Sequence, residues 1–196
     1  MTDTTLRLFV AVELPAATRD ALARTVDAMR AAGIDRGLRW VRPEGIHITL
    51  KFLGAVEEPR VAAIAAALSE SARGVAPFAL QPDRIGSFGG RRGLRVIWAG
   101  VGGETAALAG LAQRVEDALA PLGFDRERRP FAAHLTLARV REDASPAERE
   151  RLYDALARLA TPPVAPLRVE RFCLMRSTLQ RGGAVYDAVA TFELAP

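Results

Sequence analysis

His47-Ile48-Thr49-Leu50-Lys51-Phe52-Leu53-Gly54 and His134-Leu135-Thr136-Leu137 contain the only two histidines of this 196-residue chain. Each is followed by threonine two residues on and leucine three residues on, and 87 residues separate them. A lone histidine beside apolar residues is most simply a satisfied core residue; a matched pair in one context is not. In a strand, residues i and i+2 share a face. His47 and Thr49 therefore point one way while Ile48, Leu50 and Phe52 pack the other way, into the core. His134 and Thr136 do the same above Leu135 and Leu137. Strict alternation also places Lys51 on the His47 face and Arg139 on the face opposite His134, unless a bulge intervenes.

Outward from the motifs, the chain reads as two passes through one order of elements. The first pass has a strand over 8–14, a helix over 16–32, an extended stretch over 38–53 broken at Pro43-Glu44-Gly45, a helix over 58–73 and a strand over 78–88. The second has a strand over 94–101, a helix over 104–122 and a strand over 135–140. A capped helix comes next, starting at Ser145-Pro146-Ala147-Glu148 and carrying Leu152, Leu156 and Leu159, then a strand over 167–177. Leu8 to Leu94 is 86 residues and Phe78 to Leu167 is 89, so the offset barely drifts. A duplication explains this constancy, with pseudo-repeats over about 7–89 and 93–177 and a closing strand over about 184–194. All lie within one bilobal α+β domain spanning 1–196.

Composition narrows the chemistry. One cysteine leaves no intrachain disulfide and no Cys-built zinc site, and two histidines leave little for a His-built one. A third ligand for such a metal would have to be a carboxylate, and neither motif strand offers a convincing one. No apolar run reaches the ~18 residues of a membrane span, and the N-terminus lacks a signal-peptide pattern. These features point to a cytoplasmic protein that uses no metal or cofactor. The formal net charge is +4, from 27 Lys and Arg against 23 Asp and Glu, and only Lys51 of the 27 is a lysine. Most of these arginines read as solvated surface set by base composition. Those beside the motifs or in the basic loop, Arg42, Arg91, Arg92, Arg95, Arg128, Arg129 and Arg139, are candidates for gripping phosphate by bidentate hydrogen bonds.

Two imidazoles and two hydroxyls facing one another suit acid–base displacement at phosphorus. A neutral imidazole can deprotonate the nucleophile, and an imidazolium across the phosphorus can protonate the leaving oxygen. Each threonine hydroxyl can donate to a non-bridging oxygen as charge builds there. A strained five-membered 2',3'-cyclic phosphate, with its leaving group in the ring, is a substrate that two histidines could open. Trp40, Phe88 and Phe131 could stack on a terminal base. Trp98, inside a strand, reads as core, and Cys173 as a buried structural thiol.

The chain resembles the RNA 2',3'-cyclic phosphodiesterases, also called 2'-5' RNA ligases, of the two-histidine (2H) phosphoesterase superfamily. The likeness rests on both motifs and on Arg7-Leu8-Phe9-Val10-Ala11-Val12-Glu13-Leu14-Pro15, Arg95-Val96-Ile97-Trp98-Ala99-Gly100-Val101, Arg129-Pro130-Phe131 and the closing stretch with Tyr186. One departure is Ala133, where the family often has proline. The resemblance implies two antiparallel sheets around a central groove. It implies metal-free hydrolysis of RNA 2',3'-cyclic phosphate ends to 2'-phosphomonoesters by a monomer, with tRNA fragments one candidate substrate. It makes His47 the proton donor and His134 the acceptor. By their own chemistry Thr49 and Thr136 assist them, and by position Arg139, Arg129, Lys51, Arg42 and Phe131 are the candidates for contact with the substrate. An RNA 5'-hydroxyl in place of water would give a 2'-5' linkage. A bell-shaped rate–pH profile and full activity in chelator are expected. The competing readings are a two-histidine enzyme for a small cyclic nucleotide or ADP-ribose cyclic phosphate, a non-catalytic RNA-binding module, and a two-histidine metal site.

Overall fold

The computed structural model describes residues 4–158, 164–180 and 183–196. Its elements run β1 (Thr5–Glu13), α1 (Ala16–Ala31), β2 (Leu38–Trp40), β3 (His47–Glu57), α2 (Val61–Ala72), β4 (Phe78–Phe88), β5 (Val96–Gly103) and α3 (Thr105–Leu119). They continue with β6 (His134–Val140), α4 (Pro146–Leu156), β7 (Leu167–Val169), β8 (Arg171–Gln180) and β9 (Gly183–Glu193). Leu159, expected on the last helix, lies outside the described residues.

Every strand pairing is antiparallel, in the order β7-β4-β5-β6-β3-β1-β8-β9, with β2 set against β6. The third long strand of each half crosses over: β4 joins the sheet of β5 and β6, and β8 joins the sheet of β1 and β3. Among the described residues one register pair, Ile48 with Leu135, joins the two groups of strands. It lies next to both histidines.

The helices cover one face because their apolar residues recur at helical spacing. Leu22, Val26 and Met29 of α1, Ile64 and Leu68 of α2, and Leu108, Leu111, Val115 and Leu119 of α3 are buried with Ile48, Leu50, Leu135 and Leu137 in one core. Helix α4 starts in a capping box: the Ser145 hydroxyl accepts from the Glu148 amide while the Glu148 carboxylate accepts from the Ser145 amide. The opposite face of the sheet carries a smaller apolar group of Phe9, Ala11, Cys173 and Met175, with Tyr186 packed on it. Among the described residues no helix is long and apolar enough to cross a membrane.

Candidate active site

The Ile48–Leu135 pair sets the geometry of both motifs. Continuing this antiparallel register by one residue puts His47 opposite Thr136 and Thr49 opposite His134. These four side chains are half-buried on one face, while Ile48, Leu50, Leu135 and Leu137 are buried on the other, as alternation requires.

The two imidazoles are held alike. The Nδ1–H of His47 donates to the carbonyl of Gly45 at 2.8 Å, and that of His134 to the carbonyl of Ala132 at 2.7 Å. A carbonyl can only accept, so Nδ1 carries the hydrogen in both rings and Nε2 is left for chemistry. Ala133, in the place where proline is common, leaves this anchor intact. The His47 ring lies 4.8 Å from Phe9 and meets Tyr186 edge-on at 5.1 Å. Gly45 lets the turn lie close to this ring, since a Cβ there would sit 3.2 Å from Tyr186. The His134 ring meets Phe88 edge-on at 4.8 Å.

Burial pushes the His47 imidazole down to about 4. The Gly45 carbonyl and the Glu13 carboxylate oppose this, and the nearby His134 and Arg139 act in the same sense as burial. Glu13 is the strand partner of His47 in β1. In the free protein at neutral pH, His47 is therefore uncharged.

Strict alternation fails just beyond each motif, at the same place. Against β1 the register passes from Thr49 to Lys51 and skips Leu50; against β5 it passes from Thr136 to Ala138 and skips Leu137. Each is a β-bulge, whose extra residue reverses the facing of the residues beyond it. The consequences correct three expectations. Lys51 is not on the His47 face: it is 6% exposed, and its Nζ donates to Glu116 at 2.5 Å and to the Asp125 carbonyl at 2.7 Å. Phe52 leaves the core and stands 68% exposed on the histidine side, 6.1 Å from the Phe9 ring. Arg139 moves onto the face of His134 and Thr136. Its neighbour Val96 shares a face with Trp98, the partner of Thr136, while Ala138 and its partner Ile97 are buried in the core.

Other candidates divide. Arg42 is exposed at the head of the turn Pro43–Gly45 that leads to His47. Phe131 and Arg129 are exposed in the segment leading to His134, with the Arg129 guanidinium on Glu127 at 3.2 Å. Arg95 and Arg128 are exposed too. Arg91 and Arg92 are instead tied to α4, through Asp154 at 2.6 Å and Glu150 at 3.1 Å. Trp40 is held away by Asp35, which accepts from its indole at 2.6 Å, and by Arg30 over its ring. Trp98 is not core: it faces the site side beside Phe88, on Gly86, where a Cβ would come within 2.2 Å of the indole. Cys173 is buried; burial pushes its thiol up, and the thiol donates to Glu13 at 3.4 Å. Phe9, Glu13 and Tyr186 stand in stretches that carry the resemblance, but no motif spacing assigns them to the site. Phe9 and Glu13 share the parity of Ala11 along β1, and this face could have been read as a second apolar surface ending in a carboxylate.

The family model described as "LigT like Phosphoesterase" matches residues 12–98 and again 101–186. This chain belongs to the LigT-like phosphoesterase family. Among its LigT-like relatives, the RNA 2',3'-cyclic phosphodiesterase of Methanothermobacter thermautotrophicus is 32% identical over 189 residues, 96% of this chain and 99% of that one. The enzyme of the same name from Archaeoglobus fulgidus is 33% identical over 188 residues, 96% of this chain and all of that one. Among solved LigT-like structures, E. coli LigT in its apo form superposes with a TM-score of 0.75 at 25% identity, covering 98% of this chain and 99% of that one.

Proposed function

We propose that this protein hydrolyses the 2',3'-cyclic phosphate at the end of an RNA to a 2'-phosphomonoester. The observation that carries the reading is the pair of imidazoles with both Nδ1–H groups held by carbonyls, each histidine set opposite the other motif's threonine by the Ile48–Leu135 register. Full-length relatives named RNA 2',3'-cyclic phosphodiesterase support it. The shared bulge, shared carbonyl anchor and double family match support reading 7–89 and 93–177 as copies of one unit.

In the proposed reaction the His134 Nε2 takes a proton from water as its oxygen bonds to phosphorus. The P–O3' bond breaks on the opposite side, and the His47 Nε2–H delivers its proton to O3'. Thr49 and Thr136 donate to the non-bridging oxygens, and Arg139 neutralises the charge that builds there. A half-buried, uncharged His47 can act as donor only if it gains a proton on binding. An anionic phosphate placed against it supplies that change, because an opposite charge favours the imidazolium. Arg42, Arg129 and Phe131 contact RNA beyond the reacting end, Arg129 after exchanging Glu127 for a phosphate. With an RNA 5'-hydroxyl as nucleophile the same step forms a 2'-5' bond, and water prevails unless that end is bound at high effective molarity. The chemistry uses no metal, and the protein works in the cytoplasm.

The test is an oligoribonucleotide ending in 2',3'-cyclic phosphate, incubated with EDTA. Formation of the 2'-phosphate is expected; a 3'-phosphate, or activity lost to EDTA and restored by a divalent ion, refutes the mechanism. The low proton affinity of His47 also suits a second reading in which His47 is the acceptor and His134 the donor. A substrate with sulfur at the 3' bridging position separates the two, since a thiolate leaves without a proton. It rescues His47→Ala under the first assignment and His134→Ala under the second.

A further inference from the structure

Two arginines flanking β2 and β6 have carboxylate partners: Arg36 is 3.3 Å from Glu148, and Arg141 is 3.1 Å from Asp143. Arg39 and Arg139 do not. They are directly opposite each other in the β2–β6 pairing, and opposed residues share a face. The bulge at Leu137 puts Arg139 on the face of His134 and Thr136, so Arg39 is on that face too, one strand further out. Leu38 and Trp40, on either side of it, pack toward the core. Neither guanidinium has a hydrogen bond or an ion pair among the described residues. Like charges placed opposite in a sheet are destabilising, so this pair is a cost to the free protein. The carboxylate that feels Arg39 is Asp143, and it is already held through both oxygens by Arg141.

Resting on the function proposed above, we propose that Arg39 and Arg139 form a subsite for a second phosphate. This is the phosphodiester on the 5' side of the nucleotide whose cyclic phosphate reacts between His47 and His134. The bulge puts the inner guanidinium, Arg139, on the face of both histidines, and its charge acts in the same sense as burial on His47. The outer one is a strand spacing of about 4.8 Å away, within reach of a long side chain that bridges to the next phosphate. The backbone beneath is fixed on both sides of Arg39: the Val41 amide donates to the Leu137 carbonyl and the Arg141 amide to the Gly37 carbonyl, each at 2.8 Å. The site therefore selects a polynucleotide end over a free cyclic nucleotide.

The experiment compares kcat/KM for a nucleoside 2',3'-cyclic monophosphate and for a dinucleotide ending in the same group, in wild type, Arg39→Gln and Arg39→Lys. Arg39→Gln is expected to reduce the dinucleotide rate about tenfold more than the mononucleotide rate, with Arg39→Lys between. The slope of log kcat/KM against log salt for the dinucleotide should fall by about 0.7, the value of one phosphate contact on a single strand. Equal losses on both substrates, or no loss on either, overturn the subsite. A binding arm keeps the two proposals apart: anisotropy titration of an oligoribonucleotide with a terminal 2'-phosphate against the nucleoside 2'-monophosphate. If the wild type turns over neither cyclic substrate but Arg39→Gln selectively weakens the oligonucleotide, the subsite stands and the hydrolytic reading falls. Normal turnover with Arg39→Gln indifferent upholds hydrolysis and overturns the subsite.

Discussion

Lys51→Met separates the two places this lysine can be. On the histidine face it would grip phosphate; in the structure it is a buried cation, with Lys51 and Glu116 side chains 5% and 14% exposed and 2.5 Å apart. Removing one partner of such a pair leaves the other charged and desolvated, a loss of about 3–5 kcal/mol. The Asp125 carbonyl also loses its donor. For a chain of this length about 3 kcal/mol lowers Tm by roughly 6–12 °C. Thermal melts followed by circular dichroism at pH 7 should show that drop for Lys51→Met and for Glu116→Leu. The double variant should recover most of it, since a well-packed apolar pair can replace a buried ion pair. Measured well below its Tm, Lys51→Met should keep kcat/KM on a cyclic-phosphate substrate within about threefold, because no contact at phosphorus is lost. An unchanged Tm with a hundredfold loss of turnover would refute the bulge argument and return Lys51 to the substrate.

Two further outcomes are expected from the same structure. His47 has a folded value of about 4 against about 6.5 unfolded, so between those pH values the unfolded chain binds more protons. Stability contributed by keeping His47 neutral is complete above 6.5 and lost as pH falls to 4, about 3 kcal/mol in all. Urea denaturation of wild type and His47→Asn across that window should therefore converge as pH drops, and parallel curves would contradict the buried, neutral ring. Gly86→Ala drives a methyl into the Trp98 indole, which packs beside Phe88, the ring that meets His134 edge-on. Turnover should fall about tenfold with altered tryptophan fluorescence, and Trp98→Leu in the same chain should restore it; full activity of Gly86→Ala alone would show that the indole does not buttress the histidine.

The sequence made legible whatever depends on spacing alone. His47 and Thr49 share a face because they are two apart, and the helices around Leu22, Ile64, Leu108 and Leu152 show themselves by period. The bulges at Leu50 and Leu137 break that parity, and their trace was present but faint: apolar residues at 135, 137, 138 and 140 cannot all alternate. Reading it would have sent Lys51 inward and Arg139 outward. The partners of the imidazoles were not legible, since Phe9 and Tyr186 meet His47 through strand neighbours far apart in sequence. Nor was the depressed proton affinity of His47, which arises from burial and from charges on other strands.

The crossing of β4 and β8 between sheets also bears on how the protein is made. β1 emerges first, yet Leu8 to Ala11 wait for Cys173 to Arg176, and the ring against His47 comes from Tyr186 in the last strand. A ribosome-bound chain thus carries both motifs long before it has a finished centre, and the outer edge of β1 stays unpaired until β8 has been made. Such late, long-range pairing is slow and exposes a sticky border to other nascent chains. Cutting the chain in the basic loop at Gly89–Gly93 would give two fragments, each missing a strand that the other holds. Co-expressed, they should reassemble as a split enzyme; expressed singly, neither has a complete sheet to fold around.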